Sequence, residues 1–239
     1  MKLKWEDWEE TYLDIVGRLG LDTDADRAAT SLLSTLLRDT DSEVLLTELE
    51  ERIRNRTIVV CGAGPSLERH LAELLSSEES DNLVFVAADG AVSALLNINN
   101  DCDILVTDLD GKLSDIRQAN KTGTLTIVHA HGDNTNVVQR VVPELGEVLG
   151  STQVEPAPNV FLWGGFTDGD RACHIVSHYS PKRVILAGMD FGSKVGLWSK
   201  PDHSSHFRAS NRKQIKLQIA DELISSLKET GKLEYTILR

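Results

Sequence analysis

The chain has 239 residues, 41% of them hydrophobic and 26% charged, with a formal net charge of −12. That length suits one sizeable α/β domain with a small appendage, and the composition excludes an intrinsically disordered chain. The acidic excess argues against a nucleic-acid partner, so an anionic small substrate needs a local positive site or a bound cation.

In chain order, MKLKWEDWEE lacks the apolar core of a signal peptide, and no later apolar run reaches membrane-spanning length. Cys61, Cys102 and Cys173 are scattered and form no CxxC pair. The expectation is a cytoplasmic protein with no membrane partner. Residues 1–55 read as a helical N-terminal subdomain. Trp5, Trp8, Tyr12, Ile15 and Val16 recur at helical spacing, as do Leu32, Leu33, Leu36 and Leu37, then Val44, Leu45, Leu49 and Ile53. These stripes are expected to pack a core.

From residue 56 the texture changes, and 56–239 reads as an α/β nucleotide-binding catalytic domain. TIVVCG, LVFVAAD, DILVTD, TLTIVHAH, NVFLWGG and RVILAGMDFG are six expected strands. Helical segments alternate with them, including one expected over 135–149 and a charged one over 209–230. KLEYTIL closes the chain as an edge strand. Near-continuous apolar strands alternating with helices predict a doubly wound, mostly parallel sheet with helices on both faces.

Ligands of such sheets bind beyond the carboxyl ends of the strands. Six predicted strand ends carry glycine with a carboxylate, hydroxyl or imidazole: CGAGPSL, ADGA, TDLDG, HAHGDN, GGFTDGDR and GMDFGS. In the first, Gly62, Gly64, Pro65 and Ser66 precede a helix, an arrangement that favours phosphate or nucleotide at the helix N-terminus. It is neither a P-loop nor a full GxGxxG, and a tight turn is the alternative.

Asp108 and Asp110 stand two apart at an expected strand end, and Asp133 ends a neighbouring strand. Side chains two apart on an extended segment share a face. The three are expected to converge on one Mg²⁺ ion that bridges nucleotide phosphates, because hard cations take oxygen ligands. They are also the catalytic candidates. Asp89 is a further candidate ligand or substrate contact, and His131 and Asn134 are candidate substrate contacts. HAHGD opens like an HxHxD zinc signature, but Asn134 stands where the next histidine belongs. Residues 193–216 carry Lys194, Lys200, Arg208, Arg212, Lys213 and Lys216 against one acid, Asp202. They read as a basic lid over the phosphates, with Lys194 as a nucleotide contact.

The order GAGPSL, ADGA, TDLDG, HAHGDN, GFTDGDRA and GMDFG resembles the archaeal 6-hydroxymethyl-7,8-dihydropterin pyrophosphokinases across about 56–200. It is more distantly similar to the thiamin pyrophosphokinases. TDLDG lacks the serine of their GDxDS, and HAHGDN lacks the lysine and second aspartate of their KDxTD, which disfavours thiamin. The resemblance implies ATP- and Mg²⁺-dependent transfer of the terminal diphosphate to the pterin's hydroxymethyl oxygen, releasing AMP, within folate- or tetrahydromethanopterin-type cofactor synthesis. ATP and a reduced pterin are then the partners. Thr167, Asp168 and Asp170 would bind the pterin edge or a ribose, with helix capping as the alternative for these acids. A sialyltransferase-like glycosyltransferase with the same GxGPSL loop is the second reading, and the acidic trio counts against it. A nucleotide-sensing module, the third, leaves the basic segment without a role. The sequence does not fix the oligomeric state, and a homodimer is left open.

Overall fold

The computed structural model describes residues 3–78, 80–231 and 233–238. Three helices come first: α1 (Trp5–Leu19), α2 (Thr23–Leu36) and α3 (Ser42–Ile53). Gly20, at φ +61°, closes α1 in the left-handed conformation that glycine adopts without strain. Asp22 caps α2 by accepting from the N–H groups of Asp24 and Ala25. The expected stripes are buried at Trp8, Tyr12, Ile15, Leu33, Leu37, Leu45, Leu49 and Ile53, whereas Val44 is exposed.

The rest alternates strand and helix. β1 (Thr57–Cys61), α4 (Leu67–Leu75), β2 (Leu83–Ala88), α5 (Ala91–Asn97), β3 (Ile104–Thr107), α6 (Leu113–Lys121) and β4 (Leu125–His129) follow in turn. Then come α7 (Thr135–Val141), β5 (Val148–Thr152), β6 (Val160–Leu162), α8 (Asp168–Ser177) and β7 (Arg183–Ala187). A short antiparallel hairpin, β8 (Lys194–Val195) with β9 (Phe207–Arg208), precedes α9 (Asn211–Glu229) and β10 (Tyr235–Ile237). The eight-stranded sheet has the order β10-β7-β1-β2-β3-β4-β5-β6, and its paired strands all run parallel.

The doubly wound α/β fold is therefore as expected, and β10 is an edge strand. The helix expected over 135–149 is a correction. It stops at Val141, gives a 3₁₀ turn over Val142–Glu144, and is followed by β5. Pro143 cannot continue an α-helical ladder, and VLGST holds only two apolar side chains to mark a strand. Lys232, the first residue of the expected KLEYTIL strand, lies outside the described residues.

Alternation within the strands feeds two apolar layers. Val59 and Cys61 join Leu33 of α2 and residues of α4 to α7 on one face. Ile58 and Val60 join Leu49 and Ile53 of α3, with α8 and α9, on the other. α1 packs with Ile219 of α9 and with Leu162. The N-terminal helices thus contribute to the layers on both faces of the sheet. Among the described residues, no helix is long and apolar enough to cross a membrane.

From β1 the chain steps through β2 to β6 in one direction, then returns through α8 to place β7 on the other side of β1. The β1/β7 gap is thus the topological switch point, where crevices form beyond the strand ends.

Candidate active site

A cavity of about 580 Å³ opens along the carboxyl edge of the sheet. Gly62 and Gly64 after β1, Asp89 after β2, Asp108 after β3, His131 after β4, Gln153 after β5, Asp168 after β6 and Gly188 after β7 all line it. Its walls come from Leu21, Ala25 and Asp26 of the N-terminal helices and from Lys194, Lys200, Lys213 and Lys216.

The carboxylates that converge are Asp89, Asp108 and Asp168, with ligand oxygens within 4.8 Å of one another. The expected grouping of Asp108 with Asp110 and Asp133 differs, and the cause is local. β3 ends at Thr107, and Leu109 takes φ +67°, so the segment is not extended and the two-residue rule lapses. Asp110 also lines the cavity, but its carboxylate pairs with Lys200 instead of joining the cluster, while its N–H donates to Asp108. Asp133 is exposed at the cavity rim, and its N–H donates to His131 Nδ1 at 3.3 Å.

Asp89 also sits at positive φ, +45°, a strained conformation for a non-glycine residue. It is held there by the Thr107 hydroxyl at 2.6 Å and the Gly111 N–H at 3.1 Å. Burial, then the Asp108 charge, pushes its carboxyl up to about 6. Burial and the charges of Asp108 and Asp89 likewise hold the Asp168 carboxyl well above the usual range. At Asp108 burial acts upward, but hydrogen bonding and charge from His131, with help from Lys200 and Lys216, bring it below the usual value. His131 Nε2 lies 3.6 Å from Asp108 Oδ2. Since His131 Nδ1 accepts from Asp133, Nε2 carries the proton and faces Asp108 as a donor. Three acids under mutual repulsion in a partly dry pocket form a hard-oxygen donor set of the kind that Mg²⁺ takes.

At the switch point the glycines answer to crowding. A Cβ on Gly62 would meet Met189 Sδ at 2.5 Å, and one on Gly64 would strike the Asp190 carboxylate and the Gly188 carbonyl. One on Gly196 would strike the Ala63 carbonyl, so the basic segment lies against the glycine loop. Ser66, expected to meet phosphate, is already engaged: its N–H and its hydroxyl donate to Asp190 at 2.9 and 2.7 Å. Neither Pro65 nor Ser66 is among the cavity-lining residues, whereas Lys194 is.

The acids of GFTDGDR divide. Asp170 forms a capping box with Thr167 and accepts from the N–H of Phe166 and of Thr167. Asp168, two residues earlier, faces the cavity with Thr167. Asn134 is buried away from the cavity and ties loops together. Its amide donates to the carbonyls of Asp108 and His129, and its oxygen accepts from His131 N–H.

Four contributors escaped the sequence reading. Arg171 is fully buried, and its guanidinium donates to Thr152 O and Phe166 O and to His129 Nε2 at 3.1 Å. Gln153 follows β5, of which the expected helix over 135–149 covers the first two residues. Asp26 looks like an ordinary first-turn acid of α2. Asp190 was visible in GMDFG but had no assigned partner. Arg171 and Asp190, each inside a motif already singled out, carried a usable signal.

Residues 31–196 match the family described as 6-hydroxymethylpterin diphosphokinase MptE-like. The 6-hydroxymethyl-7,8-dihydropterin pyrophosphokinase of Pyrococcus furiosus is 40% identical over 238 residues, 98% of this chain and 100% of the relative. The proteins of that name from Methanothermobacter thermautotrophicus and Methanocaldococcus jannaschii are 38% and 35% identical, over 94% and 96% of this chain and 95% and 98% of theirs. A MAf glycosyltransferase from Magnetospirillum magneticum matches with a TM-score of 0.47 and 13% identity over 82% of this chain and 38% of its own, too slight a likeness to weigh. The motif order, the sheet that carries it and these near-full-length relatives agree: the chain belongs to the MptE-like 6-hydroxymethylpterin diphosphokinase family.

Proposed function

We propose that this chain is a 6-hydroxymethyl-7,8-dihydropterin pyrophosphokinase that takes the terminal diphosphate of ATP and releases AMP. The observation that supports this reading best is the Asp89–Asp108–Asp168 cluster sharing one cavity with Lys194, Lys200, Lys213 and Lys216. In diphosphate transfer the pterin's hydroxymethyl oxygen bonds to the β-phosphorus. The bond from that phosphorus to the α-bridging oxygen breaks, AMP departs, and the hydroxyl proton is released. Such chemistry needs positioning and charge neutralisation more than covalent catalysis.

Asp89, Asp108 and Asp168 are the residues that would hold Mg²⁺. When bound there, the ion supplies charge neutralisation to diphosphate oxygens. Lys213 and Lys216 reach the cavity from α9, and their charges act on Asp108 and Asp168. They are assigned to the transferred diphosphate, as are Lys194 and Lys200. Gly62, Ala63 and Gly64 are assigned to the nucleotide at the switch point. His131 orients Asp108 through its Nε2–H.

The test is to incubate the protein with ATP, Mg²⁺ and the reduced hydroxymethylpterin, and to follow AMP and pterin diphosphate by mass spectrometry. Both products should form together and vanish with EDTA. ADP in place of AMP, or no product at all, would overturn the reading, and a parallel incubation with a CMP-sugar checks the glycosyl-transfer alternative.

A further inference from the structure

The N-terminal helices reach the site through one buried side chain. Asp26, on α2, is only 4% exposed and lines the cavity wall. Its Oδ1 accepts from the Gly132 N–H at 2.8 Å. Its Oδ2 accepts from the Tyr12 hydroxyl and from Gln153 Nε2, each at 2.7 Å. The carboxylate is therefore spent on the protein and is not waiting for a ligand. Gly132 is also pressed from behind, since a Cβ there would stand 2.7 Å from the Ala25 Cβ. The neighbours of Gly132 are His131, which faces Asp108, and Asp133 at the rim.

We infer that Asp26 is a positioning residue, by which the N-terminal helices fix the 131–133 loop and Gln153 beyond β4 and β5, the end of the cavity away from the switch-point glycines assigned to the nucleotide and so the end left for the pterin. The inference rests on the pyrophosphokinase reading for its kinetic consequence, but not for its structural one. A charged strut suits the task because charge-assisted hydrogen bonds to N–H and O–H donors are short and directional. Loss of the strut frees the Gly132 N–H and lets His131 drift from Asp108, and small misplacements at a reacting centre cost large factors in rate.

The experiment compares Asp26→Ala, Asp26→Asn and Tyr12→Phe below their melting temperatures. Asp26→Ala should lower kcat/KM for the pterin roughly 10- to 100-fold while KM for ATP stays within about twofold. Asp26→Asn keeps an acceptor for Gly132 and should recover most of that loss. Tyr12→Phe leaves the Gly132 bond intact, so it should lower Tm without altering the kinetics. Amide exchange in the metal-free protein supplies a readout independent of turnover: residues 131–134 should lose protection in Asp26→Ala, while 62–66 do not. If Asp26→Ala is too unstable to purify, Asp26→Ser, which can still reach neither Gly132 nor Gln153 as a carboxylate does, should show the same exchange pattern. Unchanged pterin kinetics with unchanged 131–134 exchange would overturn the inference. A wild-type protein inactive on pterin sinks the pyrophosphokinase reading instead, and the exchange data then decide on the strut alone.

Discussion

The carboxyl edge of the sheet has two halves that solve different problems. At β1 and β7 the groups answer one another. Ser66 donates twice to Asp190, and Gly62 and Gly64 make room for Gly188 and Met189. At β2, β3 and the start of α8 the opposite holds. Asp89, Asp108 and Asp168 crowd together, with His131 Nε2 3.6 Å from Asp108. Glycines at a strand end can be architecture, whereas buried acids that repel each other must take up a proton or meet a cation to relieve the charge. The acid-lined half is thus where ligand chemistry is written most plainly.

The sharpest way to break this comparison is to neutralise the acids. Asp168→Asn should lower turnover by roughly 100-fold or more, as removal of a charge-stabilising group does. The same change should leave Tm of the metal-free protein at or above the wild-type value, because it removes repulsion from a carboxyl held well above its usual pKa by burial and by Asp108 and Asp89. Asp110→Asn, which loses only its Lys200 partner, should stay within about tenfold of wild type in turnover, a half-exposed pair contributing little. Steady-state assays with calorimetry decide it, and equal losses in the two variants would put Asp110 among the proposed metal ligands.

A second experiment probes the glycine half. Gly64→Ala should destabilise by about 1–3 kcal/mol, because the new methyl meets the Asp190 carboxylate and the Gly188 carbonyl. The loss should be visible in urea unfolding without nucleotide, and unaltered stability would mean that the loop is not fixed by β7. A milder version is Ser66→Ala, which removes one of two hydrogen bonds to Asp190 and should cost about 1 kcal/mol. Its ATP KM should stay within about threefold of wild type, and a rise beyond tenfold would restore Ser66 as a phosphate contact.

The last measurement is a baseline from outside both halves. Burial pushes the His174 imidazole down to about 3, so it is neutral in the folded chain. Unfolded chains protonate histidine near about 6.5. Below that pH the unfolded state binds the extra proton, so this contribution to stability is complete above about 6.5 and declines as pH falls toward the folded value. Tm measured from pH 7 to 4.5 should fall less steeply for His174→Gln than for wild type, and identical slopes would remove His174 from the account.

The sequence by itself determined the doubly wound sheet, because apolar strands and intervening helices carry their own periodicities, and it determined the family through the order of its motifs. It marked the sheet edge that bears the site, since polar residues gathered at successive strand ends. Tertiary structure decided which of those residues meet. Asp108 and Asp110 looked paired only while the segment was taken as extended, and a left-handed Leu109 separates them. Asp168 joins Asp89 and Asp108 because α8 begins beside strands far from its own in sequence, while Asp170 turns inward to cap that helix. VLGST became a strand because β4 and β6 leave a place between them, a long-range pairing that five residues cannot announce. Asp26 reaches Gly132 across 106 positions of chain, a contact that no local pattern encodes.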